Sequence, residues 1–525
     1  MYDAQWGTSD SKTAIPESTI KDVVAAYRRF QRVCQDFGVP DKQVRVLATE
    51  ATRLAINSDE FRAEIEKATG WKVELLKKEE EGRVGGMGVA SSFDTVKGLV
   101  MDLGGGSTQL TWIVSQNGEV KMYEKGSVSM PYGAAALTRR LSRATDRKGK
   151  NALQAEIVTA LKQAVKIINI PAELNELAAS PEGLPLYLSG GGFRGWGFML
   201  ISQHDISPYP IPIINGFESS RKRFDDTKEI SAAAATLDVF RVSERRASQI
   251  PAVAFLINCL METLPAIKKV HFCQGGLREG ALYMMLEPSV RAEHAFVALS
   301  RDRAPPSVDA LIKLLRGALP NGVPKALSSP LIVAFIQSLF MHSALYKDLR
   351  AASALRTTTS GHLAGIHGVS HYDRAALSLM LCERWGGVGA TGPSDQDFHS
   401  RLLKLVKRET AWWCLFVGRL GAVLGELYPA GLVREGEEPV SLAGHWETRR
   451  KKGGSGAVQQ IKIRLQLTED NIGAMSIEGV QDAVKKLEKL GKRKNWPEGE
   501  GNKVAFQILN ADGETIEGGE EAEDE

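Results

Sequence analysis

The run Asp102-Leu103-Gly104-Gly105-Gly106-Ser107-Thr108 holds the residue types and spacing of this sequence best suited to chemistry. Three glycines after an apolar strand let main-chain N–H groups turn inward and approach an anion closely. Ser107 and Thr108 add hydroxyl donors, and Asp102 at the strand end can hold Mg²⁺ directly or through water. The same string would also make a tight hairpin turn with no ligand. A second glycine turn, Ser189-Gly190-Gly191-Gly192, also follows a strand and precedes a helix, a geometry that suits a phosphate. That turn alone is a weak signal, but two of them in one α/β segment predict a shared cleft. The acids Glu79-Glu80-Glu81 could supply a base that activates water, or they could be a solvated helix start where acids favour the dipole. His367 and His371 stand at i, i+4 before Asp373, which could place both on one helix face. Gly368 weakens that helix and no further ligands can be named, so satisfied structural histidines are expected.

The elements that would position these residues alternate. Helical spacing predicts a helix over 19–37, closed near Gly38. Val44 to Leu47 reads as a buried strand leading into Thr49-Glu50-Ala51-Thr52-Arg53 and a helix to about Thr69. Val73 to Leu76 is a strand, and a helix starts at Glu79. Lys97 to Leu103 is an apolar strand ending on the glycines. Gln109 to Val114 and Val120 to Tyr123 make a hairpin across Asn117-Gly118. Helices follow at 132–143 and 151–167, then the strand Leu184 to Leu188, helices at 228–237 and 243–264, and the strand Val270 to Cys273 before Gly275-Gly276-Leu277-Arg278-Glu279-Gly280. Strands and helices alternating around glycine turns mean an α/β architecture. From about 295 to 430 the pattern is helical throughout, with segments at 307–319, 330–349, 371–384 and 398–427. A strand (Gln460 to Leu467), a basic helix (Ile477 to Leu490) and an acidic tail close the chain.

Composition excludes several classes. The 525 residues suggest about three or four domains, and 43% hydrophobic with 25% charged residues is globular. A net charge of +3 gives no basic field for a nucleic-acid backbone. Cys34, Cys259, Cys273, Cys382 and Cys414 are scattered without CxxC spacing, so buried, reduced thiols are expected. The first residues lack the apolar run of a signal peptide, and no run of 18 apolar residues appears, so a cytoplasmic chain without a membrane span is expected. Trp412, Trp413 and Phe416 read as core.

The motifs carry a resemblance. Asp102–Thr108, Ala48–Arg53, Glu80-Glu81-Gly82-Arg83, Ser189–Gly192 and Gly276–Gly280 stand in the order seen in the exopolyphosphatase / guanosine-pentaphosphatase family, a branch of the actin, Hsp70 and sugar-kinase superfamily. The resemblance covers about residues 18–290 well and the helical domain loosely. With its extra C-terminal segment, the chain is most similar to the fungal retrograde-regulation type. The resemblance implies a two-domain actin-like α/β core (ribonuclease H-like) with a truncated first domain, then an all-helical domain and a small α+β segment. The corresponding boundaries are 1–90, 91–290, 295–430, 431–510 and a disordered acidic tail at 511–525. It also implies that Glu81 is the catalytic base and that Arg53 faces the phosphates. Gly104, Gly105, Gly106, Ser107, Thr108, Ser189, Gly190 and Gly191 would bind phosphate, and Asp102 would hold Mg²⁺.

Two departures shape the expected function. The family's first phosphate loop, DxGSxxxR, is found nowhere before Gly70, so either the given chain begins late or half of the cleft is missing. Gln109 stands where the hydrolases carry glutamate; an amide can position water but cannot take its proton. The expectation is therefore a regulatory protein that binds a polyphosphate or nucleotide (ATP or a guanosine polyphosphate) with Mg²⁺. It would act in mitochondria-to-nucleus signalling through protein partners, with homodimerisation left open. The alternatives are an active Mg-dependent phosphoanhydride hydrolase and a non-binding scaffold.

Overall fold

Residues 14–236, 238–434, 440–450, 457–468 and 476–516 are described by the computed structural model of the chain. The first residues of the sequence, residues 451–456 and the acidic tail expected at 511–525 lie outside them, the last from residue 517 onward. The chain divides into two units, one of residues 1–202 and 214–292, the other of 203–213 and 293–525.

In the first unit, α1 (Glu17–Asp36) places Ile20, Val23, Val24 and Tyr27 on one stripe. That stripe packs on a two-stranded parallel sheet of β1 (Val46–Ala48) and β2 (Val73–Leu75). Between these strands run α2 (Glu50–Leu54) and α3 (Ser58–Thr69), the latter stopped by Gly70 at φ 75°. Trp71 locks this layer. Its ring meets Tyr27 and Phe30 edge-on, and its Nε1–H donates to Asp41 at 2.9 Å. Then comes α4 (Lys78–Ala90), which starts where the acidic run implies.

The main sheet has seven strands. β3 (Val96–Leu103), β4 (Thr108–Gln116), β5 (Glu119–Met122), β6 (Val128–Met130), β7 (Leu184–Ser189), β8 (Phe217–Ser220) and β9 (Ile267–Phe272) pair in the order β5-β4-β3-β7-β9-β8, with β6 on β4. β3 is apolar almost throughout because it is central, with β4 antiparallel on one side and β7 parallel on the other. The expected Asn117-Gly118 hairpin forms, both residues having positive φ, the twist that a two-residue turn between right-twisted strands needs. β6 and β8, three and four residues long, were not read from the sequence.

Helices cover both faces. α5 (Ala134–Arg143) and α6 (Arg147–Ile168) follow β6, α7 (Gly190–Ser202) follows β7 and α8 (Ile250–Thr263) precedes β9, with the Trp112 indole N–H donating to the Ile168 carbonyl at the end of α6. α4 and α9 (Leu277–Met285) lie on the opposite face, where Val89 packs with Val100, Ile113 and Tyr187. These two helices touch backbone to backbone. A Cβ at Gly280 would stand 1.8 Å from the Val84 carbonyl oxygen, and one at Gly88 would stand 2.1 Å from that of Gly276. The Gly276–Gly280 motif is thus accounted for by packing, with Glu279 Oε2 accepting from the Gly276 N–H at 2.9 Å at the start of α9. The single helix expected at 243–264 is two, Glu244–Ala247 and α8; Pro251 has no N–H to give and suits the first turn of a new helix.

The second unit includes α10 (Val308–Ala318), α11 (Ser329–Gln337), α12 (Lys347–Leu355), α13 (His371–Arg384), α14 (Pro393–Leu405) and α15 (Arg408–Leu427), after a short helix at Ala295–Ser300. The helices expected at 330–349 and 398–427 are each broken, at Ser338–Tyr346 and at Val406-Lys407. Tyr346, Val406 and Lys407 adopt extended backbone angles, and His342 in the first break pairs with Thr357 at 3.0 Å. Trp412 and Phe416 stack at 5.0 Å inside the core, as their sequence context implies. β10 (Ser441–Arg450), β11 (Ala457–Gln466) and β12 (Lys503–Leu509) form a second sheet packed by the apolar stripe of α16 (Ile477–Leu490). His371 is buried, with Nδ1 2.8 Å from the Tyr209 hydroxyl. No group of three or more His, Cys, Asp or Glu side chains able to hold a metal occurs among the described residues. All five cysteines are buried and free. Among the described residues no helix is long and apolar enough to cross a membrane.

Candidate functional site

Strand register gathers the polar residues of the first unit. Asp102 on β3 stands opposite Gln109 on β4 and beside Ser189 on β7, and Gln109 in turn faces Ser129 on β6. Partners in register project from the same face of a sheet, so Ser129, Gln109, Asp102 and Ser189 form one row. It lies on the face covered by α4, at the end where β3 and β7 release their glycine turns. The turns are neighbours: a Cβ on Gly190 would meet the Leu103 carbonyl oxygen at 2.4 Å, which with a φ of 90° requires glycine there.

The glycine turn after β3 is partly spent on itself. The Gly104 N–H donates to the Ser107 carbonyl at 3.0 Å, so this amide offers nothing to a ligand. The carbonyls of Gly104, Gly105 and Gly106 accept from Gly133, Ala134, Ala135 and Ala136, satisfying the orphan donors that open α5. Thr108 is fully buried and its hydroxyl donates to the Asp102 carbonyl at 3.0 Å, a structural bond rather than a phosphate donor. The amides of Gly105 and Gly106 remain, with no hydrogen-bond partner among the described residues. After β7, Gly190 and Gly191 open α7, whose first-turn donors have no intrahelical acceptor. A Cβ at Gly191 would meet only open space.

The base candidate is close by. Arg53 Nη2 donates to Glu81 Oε2 at 2.8 Å, and its Nη1 to the Leu76 carbonyl at 2.6 Å. The two side chains are 22% and 12% exposed. Burial pushes the Glu81 carboxyl above its ordinary range; Arg53 holds it back, and the charge of Glu50 pushes it further up. Gly82, next to Glu81, lies so close to Ser127 that a Cβ would reach its Oγ at 2.3 Å; that hydroxyl donates to Gln109 Oε1 at 3.3 Å. Ser127 thus links the start of α4 to the polar row.

Burial is also the main cause raising the Asp102 carboxyl; Ser189 and the positive charge of Arg194 oppose it. The Ser189 hydroxyl itself donates to the Gly275 carbonyl at 2.9 Å. Glu50 is the residue that sequence reasoning missed. The Ser107 hydroxyl donates to Glu50 Oε2 at 2.8 Å, tying the glycine turn to α2. The i, i+3 spacing of Glu50 and Arg53 on a helix was the available signal. Chemically the arrangement offers backbone donors and a guanidinium to anionic oxygens, and a partly buried carboxylate to a proton.

Residues 6–289 match the Ppx/GppA phosphatase family, and residues 294–512 match the RTG2 C-terminal domain. Retrograde regulation protein 2 of Saccharomyces cerevisiae is 38% identical over 493 residues, spanning 90% of this chain and 82% of its own. A guanosine-5′-triphosphate,3′-diphosphate pyrophosphatase of Pseudoalteromonas translucida is 30% identical over 255 residues, 47% of this chain and 46% of its own. Among solved structures, an Aquifex aeolicus Ppx/GppA phosphatase aligns at 22% identity and a TM-score of 0.39, covering 52% of this chain and 85% of that one. An exopolyphosphatase from Cytophaga hutchinsonii aligns at 17% identity and a TM-score of 0.40, covering 54% and 86%.

Proposed function

The chain belongs to the Ppx/GppA phosphatase family, with the actin-like α/β fold of that family, and from this premise we propose that its first unit binds the phosphate chain of a nucleotide or polyphosphate as a regulatory signal. The row of Gln109, Asp102 and Ser189 beneath two adjoining glycine turns carries this reading. The amides of Gly105 and Gly106 and the first turn of α7 would receive the bridging and terminal oxygens, and Arg53 would neutralise charge from the α2 side. Mg²⁺ fits a site of this kind, because it keeps most of its waters and takes one or two protein oxygens plus phosphate. Asp102 and the Gln109 amide oxygen would hold it, and it would supply charge neutralisation at the phosphates. Such a ligand would shift the population of a conformation read by protein partners, in keeping with the name of the yeast relative.

Hydrolysis is the second reading, favoured by one observation: Glu81 is a partly buried carboxylate with its proton affinity raised. Against it, Glu81 is held in an ion pair with Arg53, and Gln109 cannot accept a proton. One experiment separates the two. The full-length chain is heated with and without Mg²⁺ and polyphosphate or guanosine 5′-triphosphate 3′-diphosphate, and phosphate release is measured in parallel. Stabilisation without release, lost in Asp102→Asn, supports the regulatory reading. Release abolished by Glu81→Gln supports hydrolysis, and neither response overturns both.

A further inference from the structure

The second unit holds a cavity of about 980 Å³ that the reading above does not use, walled by α12, α13, α14, α15 and α16. Its lining carries six cationic side chains, Lys347, Arg350, Arg384, Arg419, Lys486 and Lys489, against the carboxylates Glu383, Glu426 and Asp482. One of those carboxylates is already matched, since Arg419 Nε donates to Glu383 Oε2 at 2.9 Å.

Arg384 is the centre of the argument. It is 8% exposed, and its Nε is buried with no hydrogen-bond partner among the described residues. The guanidinium is held instead by ring faces, 4.2 Å from the Trp385 centroid and 5.7 Å from that of Phe340. Gly425 leaves the room it occupies: a Cβ there would stand 1.9 Å from Arg384 Nη2. Burial, the main cause, brings the Arg384 pKa down to about 10, with Glu426 opposing and Arg350 assisting, so the side chain stays charged at neutral pH. A buried cation lacking a hydrogen-bonded anion is costly to maintain. Two further buried donors or acceptors on the same wall, Trp385 Nε1 and His399 Nε2, also lack partners. Burial lowers His399 to about 4, so this ring is neutral at pH 7 and can offer a hydrogen bond without competing charge.

The geometry points to a binding site for a small phosphate-bearing anion in this cavity, with the Arg384 fork on its oxygens and Lys486 and Lys489 at the rim. A planar guanidinium fork presents paired donors to a phosphate, and lysines act as point charges around it. Arg350 also lies over the Trp385 ring, at 5.0 Å, so the aromatic wall is engaged by cations and favours a compact charged ligand over a stacked base. The cavity is at the upper end of the size usual for metabolite sites, roughly 300–1,000 Å³.

Calorimetric titration of the full-length chain with pyrophosphate tests this, with citrate as the carboxylate comparison. A saturable event is expected that is lost in Arg384→Met, retained in Asp102→Asn, and weakened about tenfold or more in Lys486→Ser/Lys489→Ser. The lysine pair is exposed and keeps the assay valid if Arg384→Met fails to fold, which circular dichroism would show. Pyrophosphate binding unchanged in the lysine pair, or an equal Arg384-dependent event with citrate, would overturn the assignment.

Discussion

Removing Arg53 should destabilise the first unit in a pH-dependent way that Glu81 controls. Arg53→Ala deletes two interactions: the bond to the Leu76 carbonyl and the ion pair to Glu81 at 2.8 Å. The first does not depend on pH and is worth about 1 kcal/mol. The second does. With charge centres about 4 Å apart and an effective dielectric near 20, the pair is worth at most ~4 kcal/mol. Some water reaches both groups, so the expected loss at neutral pH is about 1–3 kcal/mol, below the 3–5 kcal/mol of a fully buried pair broken on one side.

The sign follows from Glu81 having its folded pKa raised, mainly by burial. The native state then binds more protons than the unfolded state between the unfolded and folded pKa values, so the burden of Glu81 is absent below that window and complete above it. Without Arg53 the folded pKa moves further up and the burden grows. The variant should therefore be close to wild type at pH 4, apart from the Leu76 bond, and most impaired at pH 7–8. Hydrogen exchange of residues 50–54 and 78–90 reports this locally, and Arg53→Ala/Glu81→Gln should recover the pH-dependent part. An equal penalty at both pH values, or no recovery in the double variant, would refute the reasoning.

Three more perturbations have defined outcomes. Glu50→Gln removes a negative charge held on the Ser107 hydroxyl, so polyphosphate should bind up to about tenfold tighter, roughly 1.4 kcal/mol for one charge at about 6 Å and an effective dielectric near 40; unchanged affinity by calorimetry would mean that Glu50 lies off the ligand path. Gln109→Glu places a second carboxylate opposite Asp102, so thermal stability should fall without Mg²⁺ and recover with it; a melting temperature insensitive to Mg²⁺ would argue against a metal at this row. Gly280→Ala drives a methyl group into the Val84 carbonyl and should cost about 1–3 kcal/mol in urea unfolding, since two backbones must separate; wild-type stability would show that the α4–α9 contact can relax.

The fold was legible where period and punctuation agreed. β3 announced itself as an unbroken apolar run closed by glycines, and the Asn117-Gly118 turn named its hairpin. Breaks inside apolar helical stretches were not legible, because Val406-Lys407 and Ser338–Tyr346 carry no glycine or proline. Such breaks are set by the tertiary setting rather than by local sequence, and in the first of them His342 bonds Thr357, fifteen residues away. β12 escaped notice because it is completed by a parallel partner distant in sequence, β11, and β10, which pairs antiparallel with β11, was also not read from the sequence.

The site was half legible for a related reason. Residue types state which groups could serve an anion, while the fold decides which of them are still free. Three hydroxyls and the amides of Gly104, Gly105, Gly106, Gly190 and Gly191 were available on paper in the two turns. Thr108 is consumed by the Asp102 carbonyl, Gly104 by Ser107, and Ser107 itself by Glu50. These internal bonds have a purpose that a sequence string cannot express. A loop that must hold free amides at a fixed angle has to be braced by its remaining donors and acceptors, and here its three carbonyls are braced by α5. The Gly105 and Gly106 amides are left without a partner among the described residues, and the Glu50 carboxylate sits on the Ser107 hydroxyl. On the reading proposed above, an anion at this turn would compete with a carboxylate of the protein itself, so charge on Glu50 would set how tightly that anion is held.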